Sequence, residues 1–512
     1  MAVAIFSGLV GVVYEIIVAR TFGVGIIMDS YVAASRVPEL LFTLLAGGPL
    51  ASAFVPIFTT FLSREDHTGA WKLASAVTNL VLLALIGVSI LVGMFAPQVV
   101  RYGLYVLDPT SSVGQLDLTV NLMRILLITV AIFGVSGLVM GILNSHQIFL
   151  APAIAPAMYS LGLILGTTVL ARRWGIYGLA AGAVLGALLH LLVQVPALLR
   201  LKERHYFVTL GLDFPAVGQV VRLMLPRLFG AAVVQLNFFV STIIALSLVN
   251  GSVSSITYAW TLMMMPEMAI AQSIAVAALP TFSRQVARGQ PEEMRSSLAA
   301  VLRVVLLLAL PASLGLILLR QPLIALIYQR GLFTTQSTQM VAWALLWYAA
   351  GLVGHSLVEV VSRAFYALHD TRTPVMVGAV AMGLNIAFSL VFSRLFTYWG
   401  WMPHGGLALA NSLATALEMS ALLVLMRRRL HGLEGHRLGV VLWQSALAAL
   451  VMGLAVQGWL NLATHMGRAV SLAGGLLIGV VFYALVIYLL RVPELRSLTA
   501  IIKARTLDRL AH

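Results

Sequence analysis

The sequence predicts an all-α polytopic membrane protein: fourteen transmembrane helices, arranged as two six-helix lobes in a parallel pseudo-twofold repeat plus two extra C-terminal helices. Three observations predict it. Of the 512 residues, 60% are hydrophobic and 10% charged, against roughly 45–50% and about 25% in soluble domains. Apolar runs of about 20 residues, long enough to cross a bilayer core, recur along the chain, and the mean hydropathy is +0.98. Three sequence pieces recur in the same order in the two halves. The first two observations exclude a soluble enzyme, a nucleic-acid binder and a disordered chain. The chain has no cysteine, which excludes disulfides and thiolate chemistry.

The helices begin near Ala4, Ala33, Ala70, Asp117, Phe149, Tyr177, Val217, Ser255, Ser296, Thr338, Pro374, Gly406, Gly439 and Ala469, each bounded by charged residues or Pro/Gly punctuation. The first follows Met1 with no basic n-region and no small-residue cleavage site, so it is expected to stay in the membrane. An even number of spans puts both termini on one side. Eighteen of the 32 basic residues, among them Lys72, Arg200, Arg284, Arg372 and Arg427, fall on that face. Only Arg101, Arg172, Arg173, Arg320, Arg330, Arg394 and Arg468 fall on the other, and the remaining seven lie inside spans. The net charge of +14 is therefore read as topology, and the positive-inside rule places both termini in the cytoplasm. The basic tail 493–512 reads as a solvated stop-transfer segment, with a short amphipathic helix on anionic lipid as its alternative.

The repeat carries the architecture. Ser52 through Phe58, ending helix 2, resembles Val276 through Phe282, ending helix 8. The turn into helix 5, Asn144 through Pro152, parallels Tyr366 through Pro374, and Tyr177-Gly178-Leu179-Ala180 parallels Gly405-Gly406-Leu407-Ala408. The prolines are 224 and 222 residues apart and the glycines 228. Three matches in register imply two lobes, 1–205 and 206–430, followed by helices 13 and 14 over 431–492. Because six is even, both lobes enter the membrane with the same orientation. Such a pair encloses a central cavity, and rocking the lobes gives alternating access. Duplication that only fills a membrane-embedded scaffold is the plainer alternative.

Ionisable groups inside spans cost about 2.5–3.5 kcal/mol at the bilayer centre, so each calls for a partner or a watery cavity. In the first lobe Glu15 lies mid-span, while Arg20 and Arg124 are near enough to an end to snorkel. Arg36 and Glu39 are spaced either as a mutual ion pair or as a cavity mouth. The second lobe holds Arg222, Arg227, Glu267, Arg303, His355, Glu359, Arg363 and Glu418. His355, Glu359 and Arg363 recur at i, i+4 and i+8 and share one face of helix 10, as a buried pair with a histidine neighbour or as a cavity-lining stripe. Glu267 follows Pro266, where freed backbone carbonyls mark helix breaks near sites. Met263, Met264 and Met265 are read as packing. No phosphate loop, dinucleotide fingerprint or H-E-x-x-H is present, so no enzyme, cofactor or metal site is expected.

Several stretches resemble the MurJ (MviN) family of lipid II flippases, within the multidrug/oligosaccharidyl-lipid/polysaccharide exporter superfamily. They are Val18 through Gly23 with Asp29; Ala53-Phe54-Val55-Pro56; Gly141 through His146 leading to Pro152 and Pro156; Gly251-Ser252-Val253; Arg330-Gly331-Leu332-Phe333-Thr334; and Arg363 through Pro374. The resemblance implies fourteen helices in two lobes. It implies movement of an undecaprenyl-diphosphate-linked peptidoglycan precursor to the outer leaflet of the bacterial inner membrane, with first-lobe arginines on the diphosphate and helices 13 and 14 forming a groove for the lipid tail. The chain departs from the family at several positions. Ser7 through Glu15 keeps the acid of the helix 1 pattern S-R-x-x-G-x-x-R-[DE] but neither arginine. Phe42 and Gly47 replace a basic and an acidic residue of helix 2, Thr261 an arginine of helix 8, and Glu359 a basic residue of helix 10. Asp29 and a basic residue at Arg36 are kept, leaving Arg36, Arg227 and Arg363 to hold a diphosphate. Some members bind sodium through carboxylates on helices 7 and 11; Asn385 fits the helix 11 pattern, and helix 7 has no Asp or Glu.

The expected partners are a lipid-linked glycan substrate, membrane lipids and the cell-wall synthesis machinery, and no nucleic acid. Two alternatives accompany lipid II transport: a flippase for another lipid-linked glycan or a less charged amphiphile, and a non-transporting envelope-assembly scaffold whose cavity is filled by side chains such as Tyr14, Phe42 and Trp260.

Overall fold

The structure, a computed structural model, describes residues 2–108, 111–201 and 204–492; the tail expected to be basic and cytoplasmic, 493–512, lies outside them. Among the described residues fourteen long helices follow one another, with a short helical stretch over 96–104 after the third, and we number the long ones α1 to α14. They are α1 (Ala2–Phe22), α2 (Ile26–Ser63), α3 (His67–Met94), α4 (Val113–Ser145), α5 (Leu150–Trp174), α6 (Ile176–Leu199) and α7 (Pro215–Leu246). The rest are α8 (Ser252–Ala287), α9 (Pro291–Ile327), α10 (Thr335–Ala350 and Leu352–Ala367), α11 (Arg372–Tyr398), α12 (His404–Arg429), α13 (Gly435–Leu462) and α14 (Arg468–Leu489). Among the described residues, 12 are long and apolar enough to cross a membrane, and the two halves of α10, bent by 46°, make a thirteenth. α1 is not among these, so 12 to 13 of the fourteen expected spans meet the test.

Most helices start within five residues of expectation. α2 starts earlier, at Ile26 rather than near Ala33, because Asp29 in its first turn is buried against backbone donors instead of facing water.

The chain divides into two compact units, Met1–Ser254 with Arg330–Thr334, and Ser255–Gln329 with Thr335–His512. The first unit therefore runs past the boundary at 205 that the repeat suggests and takes in α7. The reason is local: α7 lies along both halves of α2, where Gln235 donates to the Thr43 hydroxyl at 3.2 Å. In the second unit α9 packs against α13 and α14 through an apolar seam of Leu319, Met452, Val456 and Leu472.

The turns repeat as well as the helices. Left-handed backbone recurs at Gly23 and Gly251, Glu65 and Gly289, Gln147 and His369, and Gly175 and Gly400, pairs separated by 228, 224, 222 and 225 residues. Left-handed residues at helix C-termini satisfy orphan carbonyls and reverse the chain, so four of the five turns among the first six helices have a left-handed counterpart in the second half.

The irregularities of α2, α8 and α10 each have an identifiable reason. α2 breaks at Gly47, after which Pro49 starts the second half; a Cβ on Gly47 would lie 2.8 Å from the Thr43 carbonyl oxygen. α8 passes Pro266 and Glu267 and then makes a π-helical turn over Met268–Gln272. α10 bends at Gly351, whose N–H bonds Tyr348 instead of Trp347. The Trp347 and Ala349 carbonyls are taken by the hydroxyls of Ser412 on α12 and Ser313 on α9, each at 2.7 Å.

α5 and α6 are joined by glycine. A Cβ on Gly162 would meet the Gly186 backbone at 2.2 Å, and one on Gly166 the Gly182 backbone at 2.5 Å, the close approach that small residues permit between membrane helices.

Candidate functional site

In the first unit the charged candidates are held by neighbours rather than left open. Arg36 donates Nη1 to Glu39 at 3.0 Å and Nε to the Thr242 hydroxyl on α7 at 3.0 Å, and its guanidinium stands 5.7 Å from the Phe238 ring centre. Ser35 donates to the other Glu39 oxygen at 3.1 Å. The spacing of Arg36 and Glu39 thus gives the mutual ion pair, and α7 adds the contacts that fix it. Tyr31 lies within electrostatic reach of Tyr14, Tyr159 and Glu39. Together with half-buried Glu15 on α1, these side chains give α1, α2 and α5 a polar, tyrosine-rich region.

Asp29 does something else. One of its oxygens accepts from the Gly251 N–H at 2.6 Å, the other from the N–H and hydroxyl of Ser254, each at 2.7 Å. It is buried, and both oxygens are occupied in capping the start of α8, where unsatisfied N–H groups favour an anion. The Arg330 to Thr334 motif has a similar task. Leu332 donates its N–H to the Arg20 carbonyl at 2.9 Å. A Cβ on Gly331 would lie 2.3 Å from that same oxygen, and one on Gly23 would lie 2.5 Å from the Leu332 oxygen. The two stretches are halves of one backbone contact.

In the second unit the stripe on α10 is assembled as spaced. Arg363 donates Nε and Nη2 to one Glu359 oxygen at 2.9 and 2.6 Å, and both side chains are about three-quarters buried. Glu267, beside the π-helical turn of α8, is buried within electrostatic reach of both, and Tyr366 lies within electrostatic reach of Glu359, Arg363 and Glu418. The guanidinium is paired with Glu359, and Glu267 lies within its electrostatic reach. His355 lies one turn nearer the bend of α10. Its Nε2 is 3.0 Å from Asn411 and 3.3 Å from the Thr415 hydroxyl, and Trp260 meets its ring edge-on at 5.4 Å.

Two candidates stand apart from these groups. Arg227 is exposed on α7 beside Pro226 and is not joined to the Arg36 group. Asn385 is buried on α11 and accepts from the Ser389 hydroxyl at 3.3 Å.

One buried network was not foreseen. Ser136 on α4 is 2.7 Å from Nδ1 of His190 on α6, and Gln194 donates to Ser136 at 2.8 Å. All three are buried. The signal was His190 and Gln194 at i, i+4 inside an apolar span, a pair that demands a hydrogen-bonding neighbour.

The loop motif between α10 and α11 also resolves into local physics. His369 is left-handed at φ 60. Asp370 accepts the Thr373 N–H at 3.0 Å and its hydroxyl at 2.8 Å, an N-terminal cap with Pro374 in the first turn. That backbone hydrogen bond from Thr373 is the main reason the Asp370 carboxyl is held below its ordinary value.

Duplicated turns, broken membrane helices and ion pairs inside the helices define a transporter of the kind built from repeated helical lobes. The fold matches a solved inward-facing MATE-family multidrug resistance transporter of the MOP superfamily at a TM-score of 0.68, with 15% identity over 84% of this chain and 96% of that one. It matches a solved lipid II flippase MurJ in an inward closed conformation at a TM-score of 0.80, with 23% identity over 96% and 98% of the two chains. The family model described as lipid II flippase MurJ matches residues 18–473, and the chain belongs to that family. Among its relatives are the lipid II flippase MurJ of Burkholderia cenocepacia, 31% identical over 83% of this chain and 82% of that protein. The probable lipid II flippase MurJ of Vibrio cholerae is 29% identical over 97% and 96%.

Proposed function

We propose that this protein is a lipid II flippase of the bacterial inner membrane. It moves the polyprenyl-diphosphate-linked peptidoglycan precursor from the cytoplasmic to the outer leaflet by alternating access, with both termini in the cytoplasm. The observation that carries the reading is the family match over residues 18–473, which takes in the turn motifs, the α8 break and the α10 stripe. Asp29, the Gly331 contact and the Asp370 cap hold the backbone. Arg36 and Arg363 are half-buried cations, each oriented by a glutamate on its own helix. A diphosphate calls for such charge-assisted donors. Arg36, oriented by Glu39, binds it in the first lobe; Arg363, oriented by Glu359, is its counterpart in the second, with Glu267 and His355 as polar neighbours. The enzymes that make and consume the precursor are the partners that this function requires.

The test is complementation. A strain depleted of its own lipid II flippase should grow when it expresses this chain, and should lyse when it expresses the chain with Arg36→Ala. Lysis with the unaltered, well-folded chain would remove lipid II as the cargo.

A second reading, a less charged lipid-linked cargo, is favoured by one set of contacts. Phe42 packs on Phe133 at 5.5 Å and Phe133 on Tyr159 at 5.1 Å, so aromatic rings occupy a region where the family resemblance leads one to expect a cation. Transport of a neutral lipid-linked sugar that is unaffected by Arg36→Ala and Arg363→Ala would establish it over lipid II.

A further inference from the structure

An open groove of about 730 Å³ runs between α3 and α4, within the roughly 300–1,000 Å³ of small-molecule sites. Its walls are apolar, from Ile86, Ile90 and Met94 on α3 to Leu127 and Ile128 on α4. Ile86, Ile90, Met94 and Ile128 are all exposed, so the groove opens to the bilayer. Arg124 closes one end. Its Nε donates to the Gly93 carbonyl at 3.1 Å, which fixes the guanidinium over the last turn of α3 and leaves Nη1 and Nη2 with no partner among the described residues. The Ser89 hydroxyl also lines the groove and is buried with no partner among the described residues.

Depth decides what Arg124 faces. It lies 21 residues from Ser145, the last residue of α4, about 31 Å at 1.5 Å per residue. Gly93 lies the same 21 residues from Lys72 near the start of α3. A hydrocarbon core is about 30 Å thick, so with Ser145 and Lys72 at one boundary, Arg124 stands at the headgroup level of the opposite one. The apolar groove and the cation are then arranged as a lipid is.

We propose that this groove binds one anionic phospholipid of the bilayer, with an acyl chain against Ile86, Ile90 and Ile128 and the phosphodiester on Arg124. A single guanidinium matches the single charge of a phosphodiester better than the charge of a diphosphate. From Ile86 to Met94 the groove follows α3 for about 12 Å, which suits part of an acyl chain and falls far short of a polyprenyl tail. The site lies wholly within the first unit and does not depend on the identity of the cargo.

The test is lipid binding by the purified full chain, followed by native mass spectrometry during titration with phosphatidylglycerol or phosphatidylethanolamine. Phosphatidylglycerol should bind at the lower concentration. Arg124→Gln should weaken it about ten-fold and weaken phosphatidylethanolamine less, because that lipid's own ammonium already offsets its phosphodiester, and Arg124→Lys should restore most of the difference. Ala131→Trp, which fills the groove from α4, should weaken both lipids. Arg172→Gln, at an exposed position elsewhere, should weaken neither. Unchanged phosphatidylglycerol binding in both Arg124→Gln and Ala131→Trp would overturn the proposal. So would an equal loss of both lipids in Arg124→Gln, or Arg124-dependent displacement of phosphatidylglycerol by undecaprenyl diphosphate, which would make this a cargo site. Thermal unfolding of each variant separates lost binding from lost folding, and Ala131→Trp reads the same groove should Arg124→Gln fail to fold.

Discussion

Glu434 shows how single residues divide between holding the fold and serving transport. It precedes α13 and accepts from Arg303 at 2.9 Å and Arg437 at 3.4 Å. Burial opposes its ionisation, but hydrogen bonds from Arg303 and Ser296 and the charges of both arginines outweigh that and hold the carboxyl below its ordinary 4.5. The stabilisation is therefore fully present above pH 4.5 and is lost as pH falls through the depressed folded value. Glu434→Gln should lower stability at pH 7 by about 1–2 kcal/mol and flatten the acid limb of a melting-temperature profile below pH 4.5. Asp29 is the larger case. Asp29→Ala strands two buried N–H donors at the start of α8 and should cost about 3 kcal/mol, read as lost thermal stability, with Asp29→Asn costing less because its amide oxygen still accepts one of them. Asp29 was legible in the sequence as a charge at the start of a span, but not as a cap. Its donors, Gly251 and Ser254, are more than 220 residues away, and one sequence carries no signal for such a pairing. The Glu359 and Arg363 pair, by contrast, could be read from spacing alone, because i, i+4 residues on a helix are neighbours wherever the helix goes.

Elements were legible where their signals are local. Apolar length gave the spans, and Pro266 marked the break of α8, after which the backbone makes a π-helical turn. The bend of α10 was missed, since Gly351 is one glycine among 43; it becomes a hinge only because Ser412 and Ser313, from other helices, take the carbonyls it frees. Removing both hydroxyls, Ser412→Ala with Ser313→Ala, should destabilise the chain by about 2 kcal/mol. The α10 stripe gives a sharper test. Arg363 is ion-paired with Glu359 and acts electrostatically on Glu267, so Arg363→Gln leaves two carboxylates within each other's electrostatic reach, whereas Glu359→Gln leaves charges of opposite sign. Arg363→Gln should be the more destabilising by about 2 kcal/mol, after allowance for the partial exposure of the pair, and equal losses in thermal unfolding would contradict that arrangement. The glycine seam of α5 and α6 was also invisible as a contact, because nothing in the spacing of Gly162 and Gly166 names Gly182 and Gly186 as their partners. Gly182→Leu should therefore abolish stable folding of the first unit, read as loss of monodisperse protein on purification.

At the scale of the whole molecule the duplication was the most legible feature, and the turns extend it: four pairs of left-handed residues recur at nearly constant separation. What the repeat did not reveal is that α7 packs with the first unit, through Arg36 on Thr242 and Phe238 and Gln235 on Thr43, contacts that exist only after folding. The turn motifs that resemble the family's close backbone contacts, among them Asp29 on Gly251 and Ser254 and Leu332 on Arg20. Under the proposed function, transport of a diphosphate rests on Arg36 and Arg363. The most direct measurement is leaflet accessibility of lipid II in proteoliposomes containing the purified chain. The account predicts protein-dependent exposure of the headgroup, lost when Arg36 and Arg363 are both replaced by alanine; a folded, unaltered chain that leaves lipid II in its original leaflet would contradict it.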